Sequence, residues 1–507
     1  MNIPTLIIGL AVPCLSFVLQ IWPRLINRYF GIDTWRHLMF ADYVRKNGKL
    51  PLKITTRYLV EGPFGYPPVI ILFVSLFSKK FADKYQFLFS PFFDLVNNYL
   101  IFIAAYLLTK NITVAVIAQI ISSLTPILVI EASNLSTRTI SSLVFNLSFF
   151  PLILYSATHD INWLAMSAII LFILFFTHKL AIQAYLFNVI GFSMIEKNPF
   201  YILFFICVFL SVWLLGGDLY KRMFRDHMAI LNYWRKYIKF RFAHQFRGVL
   251  KSKKSFDFTQ KIFVLSLKNP YVYIIGNNPW LIVFIITIFW SRFVIFGYVP
   301  LINLVIYNKL ILWVLLSSLA SVLILSVKKL RFLGEGNRYV EYCIFPLSIL
   351  IAGYFPSLVS LFGSRFVFVF SGICLTLLLS IIYLQKKTIL EDRARTISRE
   401  LWEIINFLNK KEGKKVRLAV FPFNLGDAMM YFLKGRVLTS DSVFGLLQLT
   451  DVFPIVTKPM YEIIDKYQLS HVLFDKNYVS IKEMKLGKYK IEKNVGGYML
   501  VKLEKNG

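Results

Sequence analysis

The sequence predicts a polytopic α-helical membrane protein with about eleven transmembrane helices and a small C-terminal soluble α/β domain. Three observations predict the architecture. The 507 residues are 57% hydrophobic and include 49 Phe, whereas a soluble chain of this length interleaves its apolar residues with more charge. Uncharged runs recur at close to the ~20 residues needed to cross a bilayer. From Lys386 onward the chain becomes soluble in character. Within the bilayer, backbone polar groups must be satisfied inside each segment, so the membrane part is all helical.

The formal net charge is +30, with basic residues clustered at 24–57, 221–268 and 384–507, outside the apolar runs. In a multi-pass protein the expected partners for such charge are anionic membrane lipids and phosphate-bearing lipid substrates, which lie at that depth; nucleic acid is not expected. Cys14, Cys207, Cys343 and Cys374 fall in or beside hydrophobic segments without CxxC spacing. They read as packing residues, not as a disulfide framework or zinc site. Met1-Asn2 supplies no charged n-region and no small-residue cleavage site follows, so the first segment reads as a retained anchor.

The first span covers residues 3–22, where Pro4 and Pro13 are tolerable because neighbouring helices satisfy the freed carbonyls. The polar loop 23–66 opens on Gly31-Ile32-Asp33-Thr34-Trp35-Arg36-His37 and leads into Glu61-Gly62-Pro63-Phe64-Gly65-Tyr66-Pro67-Pro68, which is rigid turn chemistry. A helix over 32–43 would gather Ile32, Trp35, Met39 and Tyr43 into an apolar stripe lying on the bilayer. Asp33 and His37, four residues apart, would share a different face and present a carboxylate and an imidazole to a substrate at the interface. The competing reading is a solvated amphipathic helix. The apolar run 69–77, at about nine residues, is too short to cross and reads as a juxtamembrane helix returning to the same side.

Further spans are expected at 87–109, 112–130, 138–156, 161–177, 178–195, 200–217, 279–299, 301–327, 339–357 and 364–384. The odd total puts the termini on opposite faces. Between Gly216 and Asn278, Tyr220, Trp234, Tyr237, Phe240 and Phe246 interleave with arginines and lysines. This is the pattern of an interfacial segment with rings at head-group level and snorkelling cations. The soluble part, 386–507, reads as a helix over 391–409, a strand 416–421, a helix opening at Gly426-Asp427, a short strand 436–439, a helix near 461–467, a strand 472–474 and a hairpin over 489–503.

Four polar sites interrupt the apolar sequence, and ionisable groups there are expensive enough to be functional candidates. They are Asp33 with His37, the loop Glu131–Arg138, the pair His178-Lys179, and the run from Arg331 through Glu335, Arg338 and Tyr339 to Glu341. If the 69–77 run returns to its own side, span counting brings all four to one face. Each has a plainer alternative: Arg338 neutralised by Glu335 and Glu341 at i−3 and i+3, His178 a hydrogen-bonded core residue, Glu131 and Arg138 paired with each other, and Asp42 a solvated charge.

The order of one span, a Gly-x-Asp loop with a downstream His, Gly-x-Leu-Pro, Tyr-Pro-Pro, and much later Glu-x-x-Arg-Tyr before a span with Phe345-Pro346 resembles the GT-C superfamily. These are integral membrane glycosyltransferases: protein O-mannosyltransferases, lipid A aminoarabinose transferases and oligosaccharyltransferase catalytic subunits. The resemblance covers roughly residues 1–385. It implies a polyprenyl-phosphate sugar donor and an active site, with the C-terminal domain, on the extracytoplasmic side of the cell membrane. Asp33 matches the essential acid of the first outer loop, Arg338 matches the arginine that holds the donor phosphate, and Glu131 falls where a second acid or polar group is variable. The absence of a Trp-Trp-Asp motif speaks against an oligosaccharyltransferase.

The chemistry agrees. A sugar phosphodiester already carries a good leaving group, so the reaction needs a base for the acceptor hydroxyl and a cation for the departing phosphate. Asp33 would be the base, with Asp33 and Glu131 as ligands if a divalent cation such as Mg or Mn binds. Arg338 would grip the phosphate; His37 would orient Asp33 or contact substrate; Arg138, Lys179 and His178 would contact the phosphate. Glu61, Tyr66, Glu335 and Tyr339 are expected at the substrate. One-step displacement would invert the anomeric centre, and the acceptor is a glycan, protein or lipid. The positive-inside rule points the other way, placing the basic Asp33 loop in the cytoplasm, although long loops are partly exempt and a site for phosphate lipids attracts cations itself. A lipid-linked oligosaccharide flippase would instead show mid-membrane polar residues and an internal repeat; no repeat is found, and the four polar sites sit at span ends. A non-catalytic scaffold would tolerate replacement of Asp33 and Arg338.

Overall fold

The computed structural model describes residues 3–54, 57–60, 62–240, 243–248, 269–293, 302–439 and 449–504. It divides into two compact units. The first comprises Met1–Ile26, Phe87–Tyr220 and Leu265–Lys386; the second comprises Asn27–Gln86, Lys221–Val264 and Lys387–Gly507.

Helices make up the first unit. Among the described residues six helices are long and apolar enough to cross a membrane: Ile3–Ile26, Lys79–Thr109, Thr137–Thr158, Leu304–Ser326, Gly336–Phe362 and Ser364–Leu390. Three bent pairs raise the number to nine if each is one span: Ile112–Ser123 with Pro126–Ala132, Phe200–Leu215 with Gly217–Phe240, and Pro270–Asn277 with Trp280–Phe289. The described part of every expected span falls on one of these or on the shorter helices Ile161–Leu174 and Lys179–Ile195; residues 294–301, at the end of the span expected over 279–299 and the start of the one over 301–327, lie outside the described residues. At 14 and 17 residues, those two rise only about 21 and 26 Å, less than the ~30 Å hydrocarbon core. With this many apolar helices the chain is an integral membrane protein.

Local chemistry explains where these helices stop. Lys110 and His159 take left-handed backbone angles at the ends of their helices, and Asn111 and Asp160 then cap the next ones, accepting from the amides of Val114 and Asn162. Inside the bundle, polar side chains pair with one another: Gln20 donates to Asp94 at 2.5 Å, and Gln119 reaches the Gly9 carbonyl at 2.8 Å. Gly9 has no room for a side chain, since a Cβ there would lie 2.6 Å from the Phe102 ring. Large apolar side chains such as Leu15, Leu214 and Phe368 are largely exposed on the protein's outside, as lipid-facing residues are. Cys14 and Cys207 are exposed as well, so they do not pack the interior as expected.

The second unit is built on a five-stranded sheet in the order β2-β1-β3-β5-β4. Strand β1 is Arg417–Phe421, β2 Arg436–Val437, β3 His471–Asp475, β4 Tyr489–Val495 and β5 Tyr498–Leu503. β1 pairs in parallel with β2 and β3, and β3 then pairs antiparallel with β5, which forms a hairpin with β4. The central strands β1 and β3 are buried along nearly their whole length, hence their continuous apolar sequence. Helix Arg399–Lys411 buries Leu401, Ile404, Ile405 and Leu408, a helical stripe at i, i+3, i+4 and i+7.

All three basic segments contribute to this unit. Residues 57–59 run along β2, with the Leu59 amide donating to the Val437 carbonyl at 2.8 Å and the Val437 amide to the Arg57 carbonyl at 2.9 Å. Helix Thr34–Asn47 begins after Asp33 and ends at Gly48, which takes φ +66°, an angle glycine adopts without strain. Two of the four residues of the stripe expected on the bilayer are taken up by protein instead. Trp35 and Met39 are buried, and the Trp35 ring packs 4.8 Å from Phe432 and 5.7 Å from Tyr431. In the described part of the 216–278 segment the rings find protein partners; residues 241–242 and 249–268 lie outside the described residues. Trp234 packs against Phe453, Phe246 sits 4.8 Å from Phe421, and Tyr220 packs on Phe175. The 69–77 run contains helix Val69–Ser75, whose seven residues rise only about 10 Å. It does not cross.

His471 on β3 is fully buried beside Glu492 at 3.3 Å and Glu412 at 3.8 Å. Burial pulls its imidazole below the ordinary range in spite of the two carboxylates. The folded state therefore holds it neutral where the unfolded chain would protonate it, so stability is lost as pH falls below about 6.5. Glu492, held low chiefly by Lys411 and His471 against its burial, adds to the loss at more acid pH. Thermal unfolding midpoints followed from about pH 7.5 to 5 should fall for the wild type and fall less steeply for His471→Gln.

Candidate active site

In the second unit the charged chemistry centres on Arg36. Its guanidinium lies 2.6 Å from an Asp33 carboxylate oxygen and 3.7 Å from Asp427, and it stacks 5.1 Å over the Tyr66 ring. Asp427, at the start of helix Gly426–Phe432, accepts a short hydrogen bond from the Tyr58 hydroxyl. His37 is fully buried and bonds the Tyr66 hydroxyl at 2.8 Å. The Arg36 and Asp427 side chains are 4% and 1% exposed, but Asp33 is 39% exposed, so of the three only Asp33 offers a carboxylate to a ligand. Burial works against the Arg36 charge, yet Asp33 and Asp427, with smaller help from Tyr66 and Tyr58, hold its pKa well above the usual arginine range. It is a permanent cation.

Asp33 occupies the N-cap position of helix Thr34–Asn47, and its main-chain carbonyl accepts the His37 amide at 3.0 Å. The expected sharing of one helical face by Asp33 and His37 is replaced by a division of labour: Asp33 faces Arg36, and His37 faces Tyr66. Asp42, expected to be solvated, is instead clamped by Arg45 and Lys79, and Lys79 also reaches the Tyr431 hydroxyl at 2.8 Å. Glu61 lies outside the described residues.

The first unit holds a second charged cluster. Arg138 begins helix Thr137–Thr158 and pairs with both Glu131 and Glu341; its Nε lies 3.2 Å from Glu341. Arg138 and Glu341 are buried, whereas Glu131 is 30% exposed. Arg338 pairs with Glu335 at 2.7 Å, and both are partly exposed. Glu341, expected to neutralise Arg338, therefore serves Arg138, a partner two hundred residues away in sequence that no local spacing announces. Tyr339 donates to Gln183 at 2.8 Å. His178 precedes helix Lys179–Ile195 at its N-cap position without capping it through its side chain, and both His178 and Lys179 are partly buried.

Asp33 and Glu131, the expected metal ligands, each hold an arginine. Among the described residues the one group of three side chains able to hold a metal ion is Glu412, His471 and Glu492, whose ligand atoms lie within 4.8 Å of one another. Lys502 and Lys411 already neutralise its carboxylates at 2.5 and 2.6 Å. Arg36, Tyr58 and Asp427 are the site residues that the sequence reading missed. The i, i+3 spacing of Asp33 and Arg36 was a usable signal; nothing local pointed to Asp427.

No family model matches the sequence, and no curated protein matches it. Solved structures do. ArnT from Cupriavidus metallidurans bound to undecaprenyl phosphate aligns over 99% of this chain and 98% of its own, with TM-score 0.58 and 12% identity. The chain has a GT-C-like fold. The archaeal oligosaccharyltransferase AglB from Archaeoglobus fulgidus, in complex with an inhibitory peptide and a dolichol-phosphate, aligns over 92% of this chain and 69% of its own (TM-score 0.53, 10% identity). The Archaeoglobus enzyme in complex with zinc and sulfate aligns over 92% and 68% (TM-score 0.53, 12% identity). These are members of the superfamily that the sequence resembles, and at such identities the shared property is the fold.

The two arginines of the first unit's cluster respond differently to replacement. Arg138→Met strands the buried Glu341 carboxylate and should cost about 3–5 kcal/mol. Arg338→Met opens a partly exposed pair and should cost below about 1 kcal/mol. Thermal or denaturant unfolding of the purified variants in one detergent reads the difference.

Proposed function

We propose that the protein is a membrane glycosyltransferase of GT-C type that moves a sugar from a polyprenyl-phosphate-linked donor to a glycan, protein or lipid acceptor. Asp33 carries this reading. It is an accessible carboxylate fixed by a buried arginine, in a chain that follows over its length the fold of an enzyme solved with undecaprenyl phosphate.

In the proposed reaction Asp33 accepts the proton of the acceptor hydroxyl as its oxygen attacks the anomeric carbon. The bond from that carbon to the phosphate oxygen breaks, and polyprenyl phosphate leaves with the electron pair. Attack opposite the leaving group inverts the centre. Arg338, partly exposed and of modest structural importance, stabilises the charge gathering on the phosphate. Arg138 is already shared between two carboxylates, which suits it to fixing Glu131 more than to gripping a phosphate. His37 fixes the Tyr66 hydroxyl on the ring that Arg36 stacks against, and Lys179, His178, Glu335 and Tyr339 complete the polar groups offered to substrate. A divalent cation held through Asp33 or Glu131 would lower the pKa of the acceptor hydroxyl; zinc in the Archaeoglobus enzyme lends support. Eleven spans, with the site and the C-terminal segment extracytoplasmic, complete the proposal.

The test is sugar transfer by purified protein in lipid, from radiolabelled polyprenyl-phosphate sugars to a membrane extract. Wild type should transfer, and Asp33→Asn should bind donor yet transfer at least about a hundredfold more slowly. Arg338→Met should keep its fold and lose donor affinity. Equal transfer by wild type and Asp33→Asn would move the base elsewhere, Glu131 first. Donor binding without transfer or hydrolysis by the wild type would favour a flippase.

A further inference from the structure

The sheet of the second unit has two edges, and the chain treats them differently. Beyond β2, residues 57–59 run alongside and exchange backbone hydrogen bonds with Val437, so the protein closes that edge itself. At the other edge β4 pairs only with β5. Among the described residues no further backbone group bonds to Tyr489–Val495. An outermost strand leaves every second amide and carbonyl pointing away from the sheet. The first half of β4, Tyr489 to Ile491, is exposed, and a bulge between Ile491 and Lys493 separates it from the second half.

The side chains along this exposed half alternate in chemistry. Ile491 stands opposite Val501, a residue of the buried core, so Tyr489 and Ile491 carry that apolar face outward past its cover. Helix Met460–Tyr467, which adds Met460 and Ile463 to the same core, leaves Tyr461 beside them; a Cβ on Gly487 would lie 3.7 Å from the Tyr461 Cβ. Tyr461, Tyr489 and Ile491 are 44%, 39% and 50% exposed and form an apolar ledge. Around them the charge is one-sided. Residues 476–493 contain six lysines and two acids, and those acids are already taken, Glu483 by Arg247 and Glu492 by Lys411. Lys482, Lys485, Lys488 and Lys490 are exposed and form no ion pair among the described residues. Glu504, whose amide bonds the Lys488 carbonyl, offsets one of these charges at most.

We infer that β4 is a docking edge for an extended acidic peptide segment of a partner protein, which adds to the sheet as a further strand. The partner's apolar side chains would cover Tyr489, Ile491 and Tyr461, and its carboxylates would meet Lys488 and Lys490 on the opposite face, with Lys482 and Lys485 beside them. Lysines on an edge strand guard against pairing with a second copy, and two such edges brought together would set like charges against each other. The same charges favour an acidic strand. An anionic bilayer or an acidic polysaccharide can meet the lysines, but neither supplies the repeating amides and carbonyls that complete a strand edge. The inference does not depend on the role proposed for Asp33.

The experiment uses full-length protein in nanodiscs of phosphatidylcholine and, as probe, a short fluorescent peptide that alternates glutamate with valine. Fluorescence anisotropy should show binding that weakens with salt. The same peptide with N-methylated valines, which keeps the charge but loses edge-facing donors, should bind at least about tenfold more weakly, as should a peptide with lysine for glutamate. Hydrogen exchange at Tyr489–Ile491 should slow when the acidic peptide is bound. The double variant Lys488→Glu/Lys490→Glu, altered only at exposed side chains, should keep its unfolding temperature and lose at least about tenfold in affinity. Absence of binding up to about 1 mM would overturn the inference. Equal binding of the N-methylated peptide would reduce the edge to a non-specific polyanion surface and overturn it too. So would slowed exchange at Tyr489–Ile491 without peptide in phosphatidylglycerol nanodiscs, which would make the partner a lipid surface, or equal protection by polygalacturonate, which would make it a glycan.

Discussion

Hydrocarbon tolerates a polypeptide only where each amide and carbonyl is paired within the segment or against a neighbour. That constraint makes the first unit helical and disciplines its polar side chains. Gln20 finds Asp94, Gln119 finds the carbonyl of Gly9, and Asn188 finds Ser317 at 3.0 Å. Apolar side chains that would be a liability in water face outward instead. The sheet and the long irregular stretches of the described chain fall in the segments that form the second unit, where water or side chains can satisfy what regular structure does not.

Charge is distributed by the same logic. The three basic stretches of the sequence supply the three pieces of the second unit, so a net charge that suggested a polyanionic partner also reflects which segments stay out of the bilayer. Within each unit the ionic cluster of interest has one arrangement: an arginine between two carboxylates, one buried and one exposed. Arg36 lies between buried Asp427 and exposed Asp33, and Arg138 between buried Glu341 and partly exposed Glu131. A buried carboxylate requires its cation, and in each cluster the more exposed carboxylate shares that cation.

The amino-acid sequence by itself determined the parts of this protein governed by local chemistry. Long apolar runs can only be helices in a membrane, and the described part of each expected span falls on a helix. Alternation and turn residues placed the five strands within a few residues, as at 416–421 against the observed Arg417–Phe421. The fold family was legible from one loop and one late motif, because an acid after the first span and an arginine before a late one are costly enough to stand out. Amphipathic stripes were less informative, since Trp35, Met39 and Trp234 have the spacing of interfacial residues whether the apolar surface they meet is lipid or protein. Only the tertiary structure decided who pairs with whom. Arg36 meets Asp427 and Arg138 meets Glu341 across 391 and 203 residues, and a charge carries no mark of its partner in its own neighbourhood. The same holds for the assembly of the Asp33 loop, the 221–264 segment and the C-terminal strands into one unit: it depends on backbone edges and buried charges that exist only once the chain has folded.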